Sequence, residues 1–250
     1  MSGQPRPEKV TSEKVTVQAA LIAAPQCGPL VQCGLDEVGR GALAGPLVAA
    51  AVVLPADFAE RLGPLVRFLR DSKTVPRRRR EQLAELIWRH APVVEVQVVP
   101  VARINRRGIG WANREAFRLL IGRVAADEYV VDGRVRPPAP RDRAQLVRCM
   151  VRADAEVPAV SAASLVAKVH RDALMCLLHE RHPDYGWHEN VGYGTPAHLA
   201  ALRAHGPTAE HRTVFVATAL GGSQRAQKAL AQGDFALLED GAEVGVDEEQ

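Results

Sequence analysis

Two adjacent acids and a glycine-flanked arginine are the part of this sequence best suited to chemistry on a phosphate. Asp36 and Glu37 end an apolar run and are followed by Gly39, Arg40 and Gly41. Carboxylate oxygens are the ligands that Mg²⁺ prefers, usually only one or two of them. Glycines beside an arginine let the backbone approach a sugar or phosphate while the guanidinium neutralises charge. The segment predicts a divalent-metal site beside a nucleic-acid surface, although taken alone it is more typical of a surface hairpin with solvated acids.

Two further acids follow apolar segments that have the pattern of strands. Residues 128–133 are typical of a short buried strand that ends in Asp132, and residues 146–151 of another that leads to Asp154. Each acid taken alone is more typical of a cap or turn. Three strands that each deliver an acid indicate one carboxylate cluster. Because such carboxylates repel each other and raise each other's pKa, the cluster needs a metal as its counter-charge.

Strands and helices are mixed along the rest of the chain. Residues 46–54 and 92–99 have the pattern of strands, whereas residues 77–90, 111–125 and 161–181 have helical spacing. This mixture predicts an α/β domain built on a central sheet.

The helix predicted over residues 161–181 is the longest. Ser161 or Ser164 is its expected N-cap, and one apolar residue in every four is expected to form its buried stripe. That stripe comprises Leu165, Val169, Ala173 and Leu177. Lys168 and Asp172 fall on another face, either as a solvated pair or as support for the site.

Composition favours a single globular domain with two tails. The chain has 250 residues, 47% of them apolar and 4% aromatic, and a net charge of +3. We expect a flexible extension over residues 1–29, the domain over residues 30–220, and an acidic, disordered tail over residues 221–250. Without that tail the body is more basic, as expected of a phosphate-binding protein.

Cellular location follows from two simple features. The four cysteines form no CxxC pair, which favours reduced thiols in the cytoplasm. No apolar run approaches the roughly 20 residues needed to cross a membrane, and the polar start is not a secretory signal. We therefore expect a cytoplasmic protein with no membrane contact.

Seven short motifs occur in one order along the chain. They are DEVGRG at residues 36–41, DSK at 71–73, VDG at 131–133, RAD at 152–154, AVSAASLVAKV at 159–169, VGYGT at 191–195 and EHRTVF at 210–215. This ordered set resembles the type 2 ribonuclease H family, also called ribonuclease HII, over roughly residues 31–218. The chain departs from the family's pattern at Val38, Arg152 and Ala159, and at Asn190 and Val191, where a basic residue is lost.

The resemblance implies a fold and a metal-dependent activity. The fold would be a ribonuclease H-like mixed central sheet flanked by helices, with a C-terminal helical extension. Asp36, Glu37, Asp132 and Asp154 would hold two Mg²⁺ or Mn²⁺ ions for phosphodiester hydrolysis. The substrates would be RNA-DNA hybrids and duplex DNA that contains a ribonucleotide, cut on its 5′ side to leave a 3′-hydroxyl and a 5′-phosphate. The roles implied are ribonucleotide removal and RNA primer degradation, by an enzyme expected to be a monomer.

The resemblance also implies how the substrate is read. Backbone groups of Gly39, Arg40 and Gly41 would hydrogen-bond the ribose 2′-hydroxyl, and Lys73 would contact the substrate backbone. Tyr193 would stack on the deoxyribose that follows, where a flat ring would crowd a 2′-hydroxyl. A tyrosine between two glycines is otherwise most often a packing anchor, so both interpretations of Tyr193 stay open.

Three alternatives remain at this point. A metal-dependent phosphatase would also cluster its acids, but such enzymes commonly need a DxD spacing that Asp36 and Glu37 lack. A non-catalytic nucleic-acid-binding module would keep the fold and lose an acid, and none is lost. The four arginines at residues 77–80 are either a phosphate-binding patch or the solvated first turn of a helix.

Overall fold

Residues 30–62 and 76–221 are described in the computed structural model of the chain. The predicted extension over residues 1–29 and the acidic tail beyond residue 221 lie outside these residues. The motif at residues 71–73 also lies outside them, so the predicted substrate contact of Lys73 stays a prediction.

The described strands form one mixed sheet. They are β1 Gln32–Val38, β2 Leu47–Val53, β3 Val93–Val99, β4 Glu128–Asp132 and β5 Val147–Met150. The strand order is β3-β2-β1-β4-β5, with β1–β2 and β2–β3 antiparallel and β1–β4 and β4–β5 parallel. The parallel half of the sheet brings the carboxyl ends of β1, β4 and β5 to one edge.

The helices described lie on both faces of the sheet and beyond its end. They are α1 Phe58–Leu62, α2 Arg77–His90, α3 Val101–Arg107, α4 Ile109–Arg123, α5 Ala153–Glu156, α6 Pro158–Arg181, α7 Trp187–Asn190, α8 Pro196–His205 and α9 Thr213–Ala219. The predicted α/β fold, with its mixed sheet, flanking helices and C-terminal helical part, is confirmed.

Strand β2 explains why the sheet has helices on both faces. All seven of its residues are buried. Ala49 and Ala51 face the core formed with α4, whereas Val48 and Ala50 face the core formed with α2 and α6. A strand that is apolar on both faces requires a packed layer on each side, which is what excludes an open, one-sided sheet here.

Helix α6 approaches strand β1 backbone to backbone. A Cβ atom at Gly34 would lie 2.1 Å from the carbonyl carbon of Ala159, closer than real Cβ atoms come to any heavy atom. Only glycine fits at this position of β1, because the neighbouring atoms are backbone and have little freedom to move. The contact fixes the height of α6 above the end of β1, where Asp36 lies.

Helix α6 ends at Arg181, as predicted, but the predictions about its start and about the buried face of its second half were wrong. The helix begins at Pro158 after Val157, which makes no side-chain cap bond, so neither Ser161 nor Ser164 is the N-cap. Leu177 is 55% exposed, whereas Arg171 is fully buried. The hydrophobic pattern excluded a charged residue from the buried face, and it therefore assigned the second half of the helix to the wrong side.

The C-terminal helices pack around an aromatic cluster. Trp187 and Tyr185 are buried and stack at a centroid distance of 5.1 Å, and α6, α8 and α9 surround them through Met175, Leu202 and Val216. Within the described residues, no helix is long and apolar enough to cross a membrane. Among the described residues, Cys33, Cys149 and Cys176 are free.

Candidate active site

Strand pairing places Asp36 beside Asp132. Strands β1 and β4 run parallel with Gly34 opposite Val130 and Leu35 opposite Val131, so the next positions on the two strands are Asp36 and Asp132. Because side chains alternate along a strand, the Gly34 and Asp36 positions share the face that is covered by α6. Two acids that are far apart in the sequence thus meet under one helix.

The buried position of Asp36 disfavours its negative charge. Asp36 is only 6% exposed. Burial, together with the charges of Glu37 and Asp132, raises the pKa of Asp36 to about 8, although a hydrogen bond from Ser164 acts in the opposite direction. The backbone N–H of Glu37 donates to Asp36 Oδ1 at 2.8 Å. Repulsion among neighbouring carboxylates is the effect that a cation would relieve.

Glu37 and Asp132 complete the group of interacting acids. Burial raises the pKa of Glu37, although Arg40 opposes this from 3.4 Å. Asp132 is half-buried, and its Oδ1 accepts a hydrogen bond of 2.8 Å from the backbone N–H of Ala153. That bond ties the end of β4 to the start of α5, the short helix that carries Asp154. Asp154 is half-buried and lies one residue beyond this anchor.

The four acids have the oxygen ligands that a divalent cation prefers, but they do not form a closed set of metal ligands. Within residues 30–62 and 76–221, no three His, Cys, Asp or Glu side chains are gathered as a ready set of metal ligands. Mg²⁺ usually takes only one or two protein carboxylates and fills its shell with waters and substrate oxygens. Neighbouring buried carboxylates with a raised pKa therefore suit such an ion without forming a closed cage.

A cavity opens directly beside the acids. It has a volume of about 310 Å³, and Asp36 and Glu37 share its lining with Ser164, Lys168 and Arg80. Lys168 and Arg80 both contact Asp172, at 2.6 Å and 3.8 Å. The lining of the cavity thus contains both carboxylates and cations, which suits a site that receives a metal and a phosphate together.

The Gly39-Arg40-Gly41 sequence forms a turn next to the acids, with an exposed tip at Arg40 and Gly41. We call residues 39–45 the glycine turn. Gly39 has φ +88°, and a Cβ atom there would lie 2.2 Å from Arg171 Nε. Arg40 and Gly41 are exposed, and a Cβ atom at Gly41 would have no heavy atom within 4 Å outside its neighbours in the chain. The turn has the open backbone that contact with a sugar requires.

Tyr193 lies on a loop that is hydrogen-bonded to the glycine turn. The Gly192 carbonyl accepts from the N–H groups of Leu43 and Ala44, at 2.8 and 3.1 Å. We call residues 191–195 the tyrosine loop. The ring of Tyr193 lies 5.5 Å from the Arg171 guanidinium, and the residue is half-buried. The structure therefore places Tyr193 on a loop beside the glycine turn, and its stacking on a sugar stays a prediction.

Two buried histidines support the tyrosine loop from below. His211 Nδ1 accepts from the Thr208 N–H at 2.9 Å, so His211 Nε2 carries the proton that points to His198 Nε2 at 3.2 Å. Trp187 also donates to His198 Nε2 at 3.1 Å. His198 Nδ1 therefore donates to the Tyr193 carbonyl at 2.9 Å. Burial lowers the pKa of His198, and it lowers that of His211 to about 3 with help from the charge of His198.

Reasoning from the sequence misses several of these residues or leaves them undecided. It predicts Ser164 only as a cap, and it assigns no role to Arg171. It leaves Lys168 and Arg80 between a solvated surface and a site role, and the structure places both on the wall of the cavity. The sequence signal that could have indicated the burial of Arg171 is its position four residues after Ala167, on the same face of the helix.

The sheet order and the acids at its parallel edge define a ribonuclease H-like α/β protein. The ribonuclease H2 of Pyrococcus horikoshii OT3 has a similar structure, with a TM-score of 0.63 and 25% identity over 79% of this chain and 99% of that one. A ribonuclease HIII described as a complex with Mn²⁺ has a TM-score of 0.56 at 21% identity, over 86% of this chain and 77% of its own. The second likeness supports the fold alone.

The sequence comparisons identify the family. The ribonuclease HII family model matches residues 33–218. The ribonuclease HII of Paramagnetospirillum magneticum is 45% identical over 192 residues, which cover 76% of this chain and 92% of that protein. The chain belongs to the ribonuclease HII family. It is therefore a ribonuclease H-type nuclease, which excludes the phosphatase and the non-catalytic binding module.

Proposed function

We propose that the chain cuts the phosphodiester on the 5′ side of a ribonucleotide, both within duplex DNA and in RNA-DNA hybrids. The products would be a 3′-hydroxyl and a 5′-phosphate. The observation that carries this proposal is the meeting of Asp36, Glu37 and Asp132 at one sheet edge, directly beside the glycine turn and Tyr193. Acids that suit a metal lie next to groups that suit a ribose.

Four carboxylates are proposed as the catalytic metal ligands. Asp36, Glu37, Asp132 and Asp154 would hold two Mg²⁺ or Mn²⁺ ions, which supply activation of the attacking water and stabilisation of the leaving 3′-oxygen. Ser164 keeps Asp36 oriented by donating to its carboxylate, and the Ala153 N–H does the same for Asp132. Lys168 and Arg80, which line the same cavity, would offer positive charge to the substrate phosphates.

The glycine turn and Tyr193 are proposed to recognise the junction between ribose and deoxyribose. Backbone groups of Gly39, Arg40 and Gly41 are proposed to hydrogen-bond a 2′-hydroxyl, the group that distinguishes RNA from DNA, and Arg40 and Gly41 are exposed. The ring of Tyr193 can pack on the next sugar only where a 2′-hydroxyl is absent. Lys73 is proposed to contact the substrate backbone.

The cellular role follows from this activity. An enzyme that cuts at ribonucleotides in duplex DNA would begin their removal and would degrade RNA primers. We propose that it does so as a monomer in the cytoplasm, without membrane contact.

The experiment that tests this function uses a labelled duplex with one ribonucleotide. Incubation with Mg²⁺ or Mn²⁺ is expected to give a single cut on the 5′ side, and none in EDTA or on an all-DNA duplex of the same sequence. The upstream product is expected to be extended by a DNA polymerase, which requires a 3′-hydroxyl. A cut on the 3′ side, or an intact strand with both metals, contradicts the proposal.

A further inference from the structure

Two buried arginines lie beneath the surface that carries the glycine turn. Arg171 on α6 and Arg212 before α9 are both fully buried. Within the described residues, neither guanidinium forms an ion pair with a carboxylate. A buried charge is costly unless polar groups compensate it. The groups that surround these two cations therefore indicate why they are there.

The guanidinium of Arg212 donates hydrogen bonds to backbone carbonyl groups of the glycine turn. Nη1 donates to the Arg40 carbonyl at 3.0 Å, and Nε and Nη2 donate to the Gly45 carbonyl at 3.0 and 2.8 Å. The backbone N–H of Arg212 donates to the Leu43 carbonyl at 2.7 Å. Arg212 thus fixes the turn at its start, middle and end.

The guanidinium of Arg171 joins the same segment to the tyrosine loop. Nη2 donates to the Ala44 carbonyl at 3.1 Å, Nε to the Pro46 carbonyl at 2.9 Å and Nη1 to the Val191 carbonyl at 2.8 Å. A single planar group therefore spans the two loops that are proposed to read the substrate. Lysine cannot reproduce this, because its ammonium lacks the rigid fork of donors.

The bond to Val191 lies at a strained point of the backbone. Val191 has φ +43°, a left-handed conformation that is unusual for a β-branched residue. Such residues persist only where their surroundings hold them in place. Val191 is two positions before Tyr193, so the conformation that Arg171 holds decides where the tyrosine ring lies.

The direction of the Arg40 carbonyl determines the direction of the next N–H group. In a planar trans peptide the C=O of one residue and the N–H of the following residue point in opposite directions. Because the Arg40 carbonyl points inward to Arg212, the Gly41 N–H points outward. No atom of the described residues accepts from that N–H. The turn therefore presents a free donor on its exposed side.

We propose that Arg171 and Arg212 are positioning residues that set the distance between the Gly41 N–H and the Tyr193 ring. Recognition of the ribose-to-deoxyribose junction then depends on both guanidinium groups, although neither touches the substrate. This inference rests on the proposed function of the glycine turn and Tyr193. It assigns the two arginines to substrate discrimination and leaves the acids, and the hydrolysis they carry out, unchanged.

The test measures discrimination in Arg171→Lys and Arg212→Lys. Dissociation constants are determined in EDTA, where no cleavage occurs, for a duplex with one ribonucleotide and for the all-DNA duplex of the same sequence. In the wild type we expect the ribonucleotide duplex to bind more tightly. In both variants the ratio of the two constants is expected to fall by about tenfold, the value of one well-placed hydrogen bond. Affinity for the all-DNA duplex is expected to stay within about twofold.

Kinetics separate positioning from chemistry in the same variants. With Mg²⁺, KM for the single-ribonucleotide duplex is expected to rise while kcat at saturating substrate changes little, because the acids are untouched. Arg148→Lys is the matched control, since Arg148 on β5 is half-exposed and pairs with Glu128 at the start of β4, and it contacts neither the glycine turn nor the tyrosine loop. This control is expected to keep both the wild-type ratio and the wild-type KM.

The possible failures can be distinguished. A wild type that binds both duplexes equally refutes the proposed reading of the junction, and the inference with it. A discriminating wild type whose two lysine variants keep the full ratio refutes the inference alone. Equal loss of affinity for both duplexes, or failure of both variants to fold, assigns the arginines to the core and also overturns the inference.

Discussion

Buried charge is treated in opposite ways on the two sides of the substrate surface. On the acid side, Asp36 is buried next to Glu37 and Asp132, and its charge is left only partly compensated. On the opposite side, Arg171 and Arg212 are buried more completely, yet backbone carbonyls accept from every nitrogen of both guanidinium groups. The acids lack a counter-charge, whereas each nitrogen of the two guanidinium groups has a backbone carbonyl as its partner.

The difference separates a reactive region from a rigid one. Carboxylates that disfavour their own charge gain most from an added cation, so that side is suited to binding a metal. A guanidinium whose three nitrogens each donate to a backbone carbonyl holds those carbonyls in one arrangement, so that side is suited to keeping two loops at a fixed distance. Buried charged side chains thus serve metal binding where they lack partners, and loop positioning where backbone carbonyls accept from them.

The largest expected effect comes from removing one charge on the acid side. Asp132→Asn is nearly isosteric but replaces an anionic metal ligand with a neutral amide. We expect turnover of a single-ribonucleotide duplex at saturating Mg²⁺ to fall by several orders of magnitude, with an unchanged circular dichroism spectrum. Asp142→Asn is the control, since the Asp142 side chain is 75% exposed. Near wild-type cleavage by Asp132→Asn would mean that the metal centre lies elsewhere.

A pH titration of stability tests whether the buried histidines beneath the tyrosine loop are neutral. These histidines belong to the rigid side, which comprises Arg171, Arg212 and the loops they hold. His211 has a folded pKa of about 3, below the roughly 6.5 of the unfolded chain, so the unfolded state binds more protons between these values. The contribution of His211 to the free energy of unfolding is therefore fully present above pH 6.5 and is lost as the pH falls toward 3. Between pH 7.5 and 5 we expect the free energy of unfolding to fall by about 2 kcal/mol through His211.

Denaturant titrations of His211→Gln and of the wild type at both pH values measure this effect. His211→Gln is expected to lose the fall in the free energy of unfolding that His211 causes between pH 7.5 and 5. His205→Gln, at an exposed position of α8, is expected to keep it. If the wild type and His211→Gln respond identically to acid, the buried histidine is not neutral in the folded state.

Tyr193→Ala tests whether the rigid side reads the substrate. Stacking on a sugar or base is worth roughly 1 to 3 kcal/mol, so we expect a loss of about tenfold or more in kcat/KM on the single-ribonucleotide duplex. The loss on a long RNA-DNA hybrid is expected to be smaller. Trp88→Ala, which removes an exposed ring on α2, is the control. Equal losses on both substrates would assign Tyr193 to loop packing.

The smallest effect concerns stability without metal. Burial makes the ionised form of Asp36 costly in the folded protein, and the neutral amide of Asp36→Asn avoids this cost, so in EDTA at pH 7.5 we expect the variant's melting temperature to exceed that of the wild type by roughly 2 to 4 °C. Added Mg²⁺ is expected to narrow the gap, because the cation stabilises only the wild-type cluster. A lower melting temperature for Asp36→Asn in EDTA would mean that the acid side is already compensated.

The acid side is largely predictable from the sequence, because its signals are local. An apolar run that ends in an acid identifies both the strand and the residue at its end, and this pattern alone points to Asp36, Asp132 and Asp154. Parallel pairing of β1, β4 and β5 then follows from the fold. The sequence could not reveal how far Asp36 is buried, because Ser164 and α6 cover it from 128 positions away.

The rigid side is largely unpredictable, because its interactions join distant segments. Arg171 donates to carbonyl groups 125 and 127 positions away, and Arg212 to one 167 positions away. Backbone carbonyls leave no signature in the side-chain sequence, so an arginine that they solvate looks like any surface arginine. The same cause gave the wrong buried face for the second half of α6.

The position of β3 at the end of the sheet has a consequence for solubility. Among the described strands, β3 has a neighbour only on its β2 side, and five of its seven residues are valine. Such a strand is a template for pairing with another molecule and so for aggregation. Glu95 places a charge within the run, and Gln97 donates its side-chain amide to the Val98 carbonyl at 2.8 Å. These two polar residues discourage a second chain from adding to the sheet.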